Sequence, residues 1–224
     1  MIILLPPSEA KLADGGDDTF QNHHEDLVPD TKKVLTYIKK LKVAEQHKIY
    51  KMKDKAKVKA AHQANLSALT SPAMPALQRY TGVVYQYIDY ESLKQKRAAQ
   101  KRLYVVSALF GLINGGTHIP NYKLGMTPWL AKHWRDINVQ RFEALKKQPV
   151  LSLLSGDFQK ALPIDVDFVD FRVQAGKKAA GHFGKAIKGR FARFLIENKI
   201  THKKDFAAFT EDNYKFDGTN FIQS

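Results

Sequence analysis

The sequence predicts an α/β (α+β) fold: one compact domain over residues 1–224, with a mixed central β-sheet flanked by helices. Three observations carry this reading. Apolar runs at residues 1–5 (MIILL), 103–109 (LYVVSAL) and 150–154 (VLSLL) have the length and composition of buried strands. The segments between them show helical spacing of apolar residues. Each strand run leads into a polar turn, at residues 8–9, 107–111 and 155–157. If the three strands are neighbours, these turns line one cleft, because open α/β sheets bind ligands at strand carboxyl ends.

Each element follows from local pattern. Pro6 and Pro7 stop the first strand, and Ser8, Glu9 and Lys11 stand at its exit. Residues 13–30 read as an acidic, Gly-containing surface loop. His23, His24, Glu25 and Asp26 are metal-ligand types, but adjacent residues on an extended chain point apart and no H-x-x-x-H spacing occurs. No metal site or cofactor is expected. Residues 31–42 predict a helix with Val34, Leu35, Ile38 and Leu41 inward. Residues 44–69 predict a longer helix with a weakly apolar stripe, so 32–70 reads as a Lys-rich helical arm. Ser71, Pro72 and Pro75 break it; a short helix at 75–79 and a turn at Tyr80-Thr81-Gly82 follow. Residues 91–102 read as a charged helix. The Gly-rich loop 114–126 is long enough to be functional. Thr127-Pro128 is a helix start, N-cap then proline. Residues 166–173 alternate like a strand and turn at Gly176-Lys177 toward a partner near 179–183. A short helix at 203–209 and a hairpin at 214–222 around Asp217-Gly218 complete the chain.

The stretch 182–198 (HFGKAIKGRFARFLIEN) predicts an amphipathic helix from about residue 185. Ile187, Phe191, Phe194 and Leu195 form its apolar face. Lys185, Gly189 and Arg193 share a flat, basic opposite side. Gly189 costs a mid-helix position about 1 kcal/mol against Ala, so close packing or ligand approach must justify it.

Net charge is +14. Eleven lysines against two acids fall within residues 32–59, and nine lysines and arginines against one acid within 174–204. Two basic segments on a nearly neutral body are the footprint of a polyanion binder, with nucleic acid foremost. Cysteine is absent, which excludes disulfides, thiolate metal sites and cysteine nucleophiles. The N-terminus lacks the basic flank of a signal peptide, and no apolar run reaches membrane-spanning length. A cytoplasmic monomer without membrane contact is expected. No P-loop, G-x-G-x-x-G or G-x-S-x-G pattern is present; Gly181-x-x-Gly184-Lys185 has the spacing of a phosphate turn at a helix start. The run at 107–112 (SALFGL) echoes the hairpin of helix-hairpin-helix DNA modules.

Candidate roles follow from residue type. Lys123, Lys185, Lys188 and Arg193 would contact phosphates, with Lys11 deeper in the cleft. Tyr122, Tyr85 or Trp134 would stack on an unpaired base of duplex or bubble-containing DNA. Ser8, Lys11, Asp136 and Asp157 supply nucleophile and acid/base types at element ends, which keeps open an enzyme acting on nucleic acid or nucleotides, through base-excision or glycosyl-transfer chemistry. A basic partner-binding domain without pocket chemistry is the third reading.

Seven runs in order, LLPPSEAK (4–11), YTGVVY (80–85), SALFGL (107–112), IPNYKLGM (119–126), WRD (134–136), LSGDFQK (154–160) and 182–198, together resemble the peroxide stress resistance protein YaaA family. The resemblance implies one α/β domain with a basic cleft, DNA binding and a role in limiting iron-driven damage under peroxide, with no settled reaction. The family's Ser-Pro-x-x-Lys-like start resembles Pro7-Ser8-Glu9-Ala10-Lys11, with Ser and Pro exchanged. Its Tyr-Arg/Lys-Leu-x-Met resembles Tyr122-Lys123-Leu124-Gly125-Met126, and its basic helix Lys185, Lys188, Gly189 and Arg193. Where some relatives carry Arg-Pro, this chain has Asn114-Gly115.

Overall fold

The computed structural model describes residues 1–145, 147–173 and 177–223. Its core is a five-stranded mixed sheet in the order β5-β4-β1-β7-β8. The strands are β1 (Ile2–Leu5), β4 (Leu103–Ser107), β5 (Gly111–Asn114), β7 (Val150–Ser152) and β8 (Asp167–Phe168). β1 lies at the centre, parallel to β4 (Leu5 opposite Val105) and to β7 (Leu4 opposite Ser152). Ile3, Leu4 and Leu5 are fully buried, as a parallel strand covered on both faces requires. The three apolar runs are therefore neighbours, and their exits lie on one edge.

The connection after β4 differs from the helix-hairpin-helix echo. Ser107 to Gly111 is the turn of an antiparallel β4–β5 hairpin, with strands rather than helices on both sides. Gly111 sits at φ +70°, and the Ser107 hydroxyl accepts the N–H groups of Leu109 and Phe110, so the chain reverses within four residues.

Two three-stranded sheets flank the core. One joins β2 (Asp18–Thr19), β3 (Pro72–Pro75) and β6 (His118–Pro120); the other joins β9 (Phe171–Arg172), β10 (Tyr214–Phe216) and β11 (Phe221–Gln223). The stretch 166–173 thus splits between two sheets. The expected turn at Gly176 falls outside the described residues, and the partner strand reduces to one bridge between Arg172 and Lys178.

Helices pack around the sheets: α1 (Phe20–His23), α2 (Val28–Lys39), α3 (Val43–Tyr50), α4 (Lys55–Leu66), α5 (Ala76–Arg79), α6 (Val83–Ile88), α7 (Lys96–Arg102), α8 (Pro128–Glu143), α9 (Gly156–Ala161) and α10 (Gly181–Glu197). The Lys-rich segment is not a projecting arm. It breaks at Lys51, whose φ of +53° ends α3, and Asp54 caps α4 by accepting the Lys57 N–H. Ile49, Tyr50 and Val58 are buried, so both helices lie on the body with their lysines outward. The 13–30 loop is also anchored. Arg79, almost fully buried, donates to the carbonyls of Leu12, Asp14 and Gly15, and the His24 ring accepts the His118 N–H.

α10 begins four residues earlier than its apolar spacing suggests and lies along α6. Ile187, Phe191 and Leu195 are fully buried. Gly189 faces α6 rather than a ligand: a Cβ there would lie 2.3 Å from the Val84 carbonyl oxygen. Thr127 caps α8 as expected, accepting the Leu130 N–H.

Candidate functional site: a lysine-lined cavity at the strand ends

A cavity of ≈ 600 Å³ opens where β1 and β7 end. Pro6 and Pro7 cannot continue the ladder, and the Tyr85 hydroxyl donates to the Pro6 carbonyl at 2.8 Å, fixing the strand exit. Ser8 then packs on Gly82, where a Cβ would lie 2.1 Å from its hydroxyl. Val83, Val84, Tyr85, Tyr122, Leu124 and Met126 supply apolar wall, and the first turns of α10 close the far side with Gly181, Gly184, Lys185 and Lys188. Ala180 offers no side-chain cap, so the α10 start leaves its backbone donors unpaired by a capping group.

Charge is distributed by a small network. The Glu9 carboxylate pairs with Lys123 at 2.9 Å and Lys51 at 3.1 Å. The Lys123 hydrogen bond is the main reason that Glu9 titrates below the usual carboxylate range. Buried Asn65 holds the Lys123 backbone by donating to its carbonyl at 2.7 Å and accepting its N–H at 2.9 Å. Lys188 donates to the Leu153 carbonyl at 3.0 Å, and burial pulls its pKa down.

Lys11 stands just behind this wall. Its Nζ donates to the Ser8 carbonyl at 2.6 Å and lies 4.1 Å from the Tyr122 ring centre and 5.2 Å from that of Tyr80. Burial, and then the nearby Lys123 cation, lower its pKa to about 7, against a weaker opposing pull from Glu9. The two rings are themselves fixed. Ser107 already accepts two backbone N–H groups, so its proton goes to the Tyr122 oxygen at 2.8 Å, and the Tyr122 and Tyr80 hydroxyls share a hydrogen bond at 2.7 Å. Burial pushes the Tyr122 phenol up to about 12.

The structure brings together most, not all, of the residues expected to act. Ser8, Tyr85, Tyr122, Asp157, Lys185 and Lys188 line the cavity. Lys11 and Lys123 reach it through Ser8 and Tyr122 and through Glu9. Four expectations are corrected. Asp136 is exposed on α8, away from the cavity lining. Trp134 is fully buried, with its indole N–H given to the Ala108 carbonyl, and cannot stack on a base. Arg193 donates to the Ile88 and Asp89 carbonyls at the end of α6 and pairs with Asp89 and Glu197, so it ties two helices together. Tyr85 and Tyr122 are buried too; they form floor rather than an exposed stacking platform. Two contributors were not among the expected site residues. Lys51 reaches the rim because the helix breaks there, and Gly82 matters only through Ser8 packed on it.

These features define a class: a single-domain α/β protein whose parallel strands end at a cavity with lysines in its wall. The particular family is shown by comparison with known proteins. The chain belongs to the peroxide stress protein YaaA family, whose model matches residues 1–220. It is similar to a UPF0246 protein of Corynebacterium glutamicum, 34% identical over 215 residues, which spans 87% of this chain and 84% of the relative. A UPF0246 protein of Streptomyces coelicolor is 30% identical, spanning 88% and 83%. One from Lacticaseibacillus paracasei is 26% identical, spanning 82% and 81%. No described helix is long and apolar enough to cross a membrane.

Proposed function

We propose that this peroxide stress protein binds DNA and that its cavity receives a single unpaired nucleotide. The observation that supports this is the wall itself: Lys51, Lys185 and Lys188 outnumber the Glu9 and Asp157 carboxylates around a ≈ 600 Å³ cavity whose wall also carries the apolar side chains of Val83, Val84, Leu124, Met126 and Phe158. A nucleotide is a flat apolar base joined to an anion, and this wall offers surface for both parts. The formal charge of +14 supplies the long-range attraction for a phosphate backbone. An unpaired base enters a pocket at lower cost than one that must first leave a duplex.

The test is binding of a fully paired duplex and of the same duplex with a central unpaired bubble, each across a salt series. Affinity for both should fall steeply with salt, since neutralising phosphates releases counterions. The bubble should bind several-fold tighter at every salt concentration. Absent binding in low salt defeats the DNA reading, and equal affinities defeat the role of the cavity.

A further inference from the structure

The geometry points to Lys11 as an amine nucleophile that forms an imine with the aldehyde of a base-free deoxyribose in damaged DNA. This inference rests on the DNA-binding reading and gives its cavity a substrate class.

The argument begins with what Lys11 lacks. A half-buried lysine is ordinarily held by a carboxylate. Glu9, two residues away, gives its oxygens to Lys51 and Lys123 instead. Among the described residues no carboxylate forms an ion pair with Lys11; its amine has the Ser8 carbonyl, the face of Tyr122 and, farther off, the ring of Tyr80. Ser8 and Tyr122 also line the cavity, with Lys11 directly behind them. The Ser107–Tyr122–Tyr80 hydrogen-bond chain sets the ring beneath the amine, so the amine is placed by a rigid floor rather than by a flexible counter-ion.

Such a setting suits attack on a carbonyl. With a pKa of about 7, half the Lys11 amines carry a free electron pair at neutral pH, whereas an ordinary lysine at 10.5 is neutral in about one molecule in three thousand. A purely structural strut has no need of that lone pair. The matching ligand has an aldehyde carbon beside phosphates. Deoxyribose that has lost its base is that group, and it leaves the base's share of the cavity empty. The Lys11 nitrogen adds its pair to C1 of the open-chain sugar, the carbonyl π bond breaks, and the oxygen takes up a proton. Loss of that oxygen as water leaves the carbon–nitrogen double bond. One amine and one aldehyde give one imine and one water, with no change of oxidation state.

The test uses the full chain with a duplex carrying one abasic site, under borohydride, which reduces an imine to a stable amine. We expect a covalent adduct whose peptide map places the sugar on Lys11. Lys11→Met should lose at least ten-fold of the adduct yield, and Lys11→Arg should lose as much while keeping the cation. Adduct formation should rise with pH through about 7. Binding of the same duplex without borohydride is measured in parallel, and 2-deoxyribose 5-phosphate replaces DNA in a second arm. Bound duplex with no adduct in either arm overturns the imine and leaves DNA binding standing. A Lys11 adduct with the free sugar phosphate and no duplex binding supports the chemistry and defeats the DNA reading. Adducts spread over Lys51, Lys185 and surface lysines overturn the assignment. Should both variants misfold, the map of the parent protein decides alone.

Discussion

Lys11 carries the most informative single titration in the chain. Its pKa in the folded state is about 7, against 10.5 for an ordinary lysine, because burial disfavours the charged form. Between these two values the unfolded chain holds a proton that the folded chain has released, so folding becomes more favourable as pH rises from about 7 to about 10. Urea unfolding of the parent and of Lys11→Met across that range isolates the effect from all other groups. The variant should have its largest relative advantage near pH 7 and lose it steadily by pH 10. Parallel stability curves would show that Lys11 is solvated and ordinary. Asn65 gives a second residue-scale case. It is fully buried and satisfies both polar groups of the Lys123 backbone. Asn65→Ala leaves that buried N–H and carbonyl unpaired and should cost about 2–4 kcal/mol, read from the urea midpoint.

At the scale of elements, α10 shows how a local rule is reversed by packing. Gly189→Ala in an isolated helix gains about 1 kcal/mol. Here the added methyl lands 2.3 Å from the Val84 carbonyl oxygen, which is backbone and cannot rotate away. The substitution must push α10 off α6 and should destabilise the protein by about 1–3 kcal/mol. A shift of the thermal midpoint upward would show that the two helices are less closely seated than this. The same contact explains Arg193. With Gly189 against α6, the residue four positions on must also face that helix, and its guanidinium finds the carbonyls of Ile88, which ends α6, and of Asp89, which follows it. Lys185, two turns earlier, is exposed and remains on the cavity.

For the whole molecule, charge and placement make separable predictions about DNA. If affinity came from net charge alone, any lysine would count equally. Lys51→Ala with Lys185→Ala removes two cavity lysines, whereas Lys57→Ala with Lys59→Ala removes two exposed ones on α4. The first pair should weaken bubble binding about ten-fold more than the second and lower the salt slope by about two. Equal losses measured by fluorescence anisotropy would return the protein to a diffuse electrostatic binder.

The sequence by itself determined the sheet strands, because an unbroken apolar run between turn signals has few other solutions, and β1, β4 and β7 lie where MIILL, LYVVSAL and VLSLL stand. It determined the α8 start through Thr127-Pro128 and the terminal hairpin through Asp217-Gly218, since these are local chemistry. It placed Ser8 and Asp157 at strand exits, which a parallel sheet brings to one edge, and left open whether Lys11 and Lys185 meet them there. Only the tertiary structure decided which cations remain at the cavity. Lys185 and Arg193 are equivalent by helical spacing; the Ile88 and Asp89 carbonyls, invisible in the α10 sequence, take Arg193 and leave Lys185 on the cavity. Trp134 and Asp136 follow from the same cause: helix periodicity gives relative faces, while the partner on each face is chosen by chain segments far away. The setting of Lys11 is the extreme case. It depends on Glu9 meeting Lys51 and Lys123, and on Tyr122 meeting Ser107 and Tyr80, and those partners are brought together only by the folded chain.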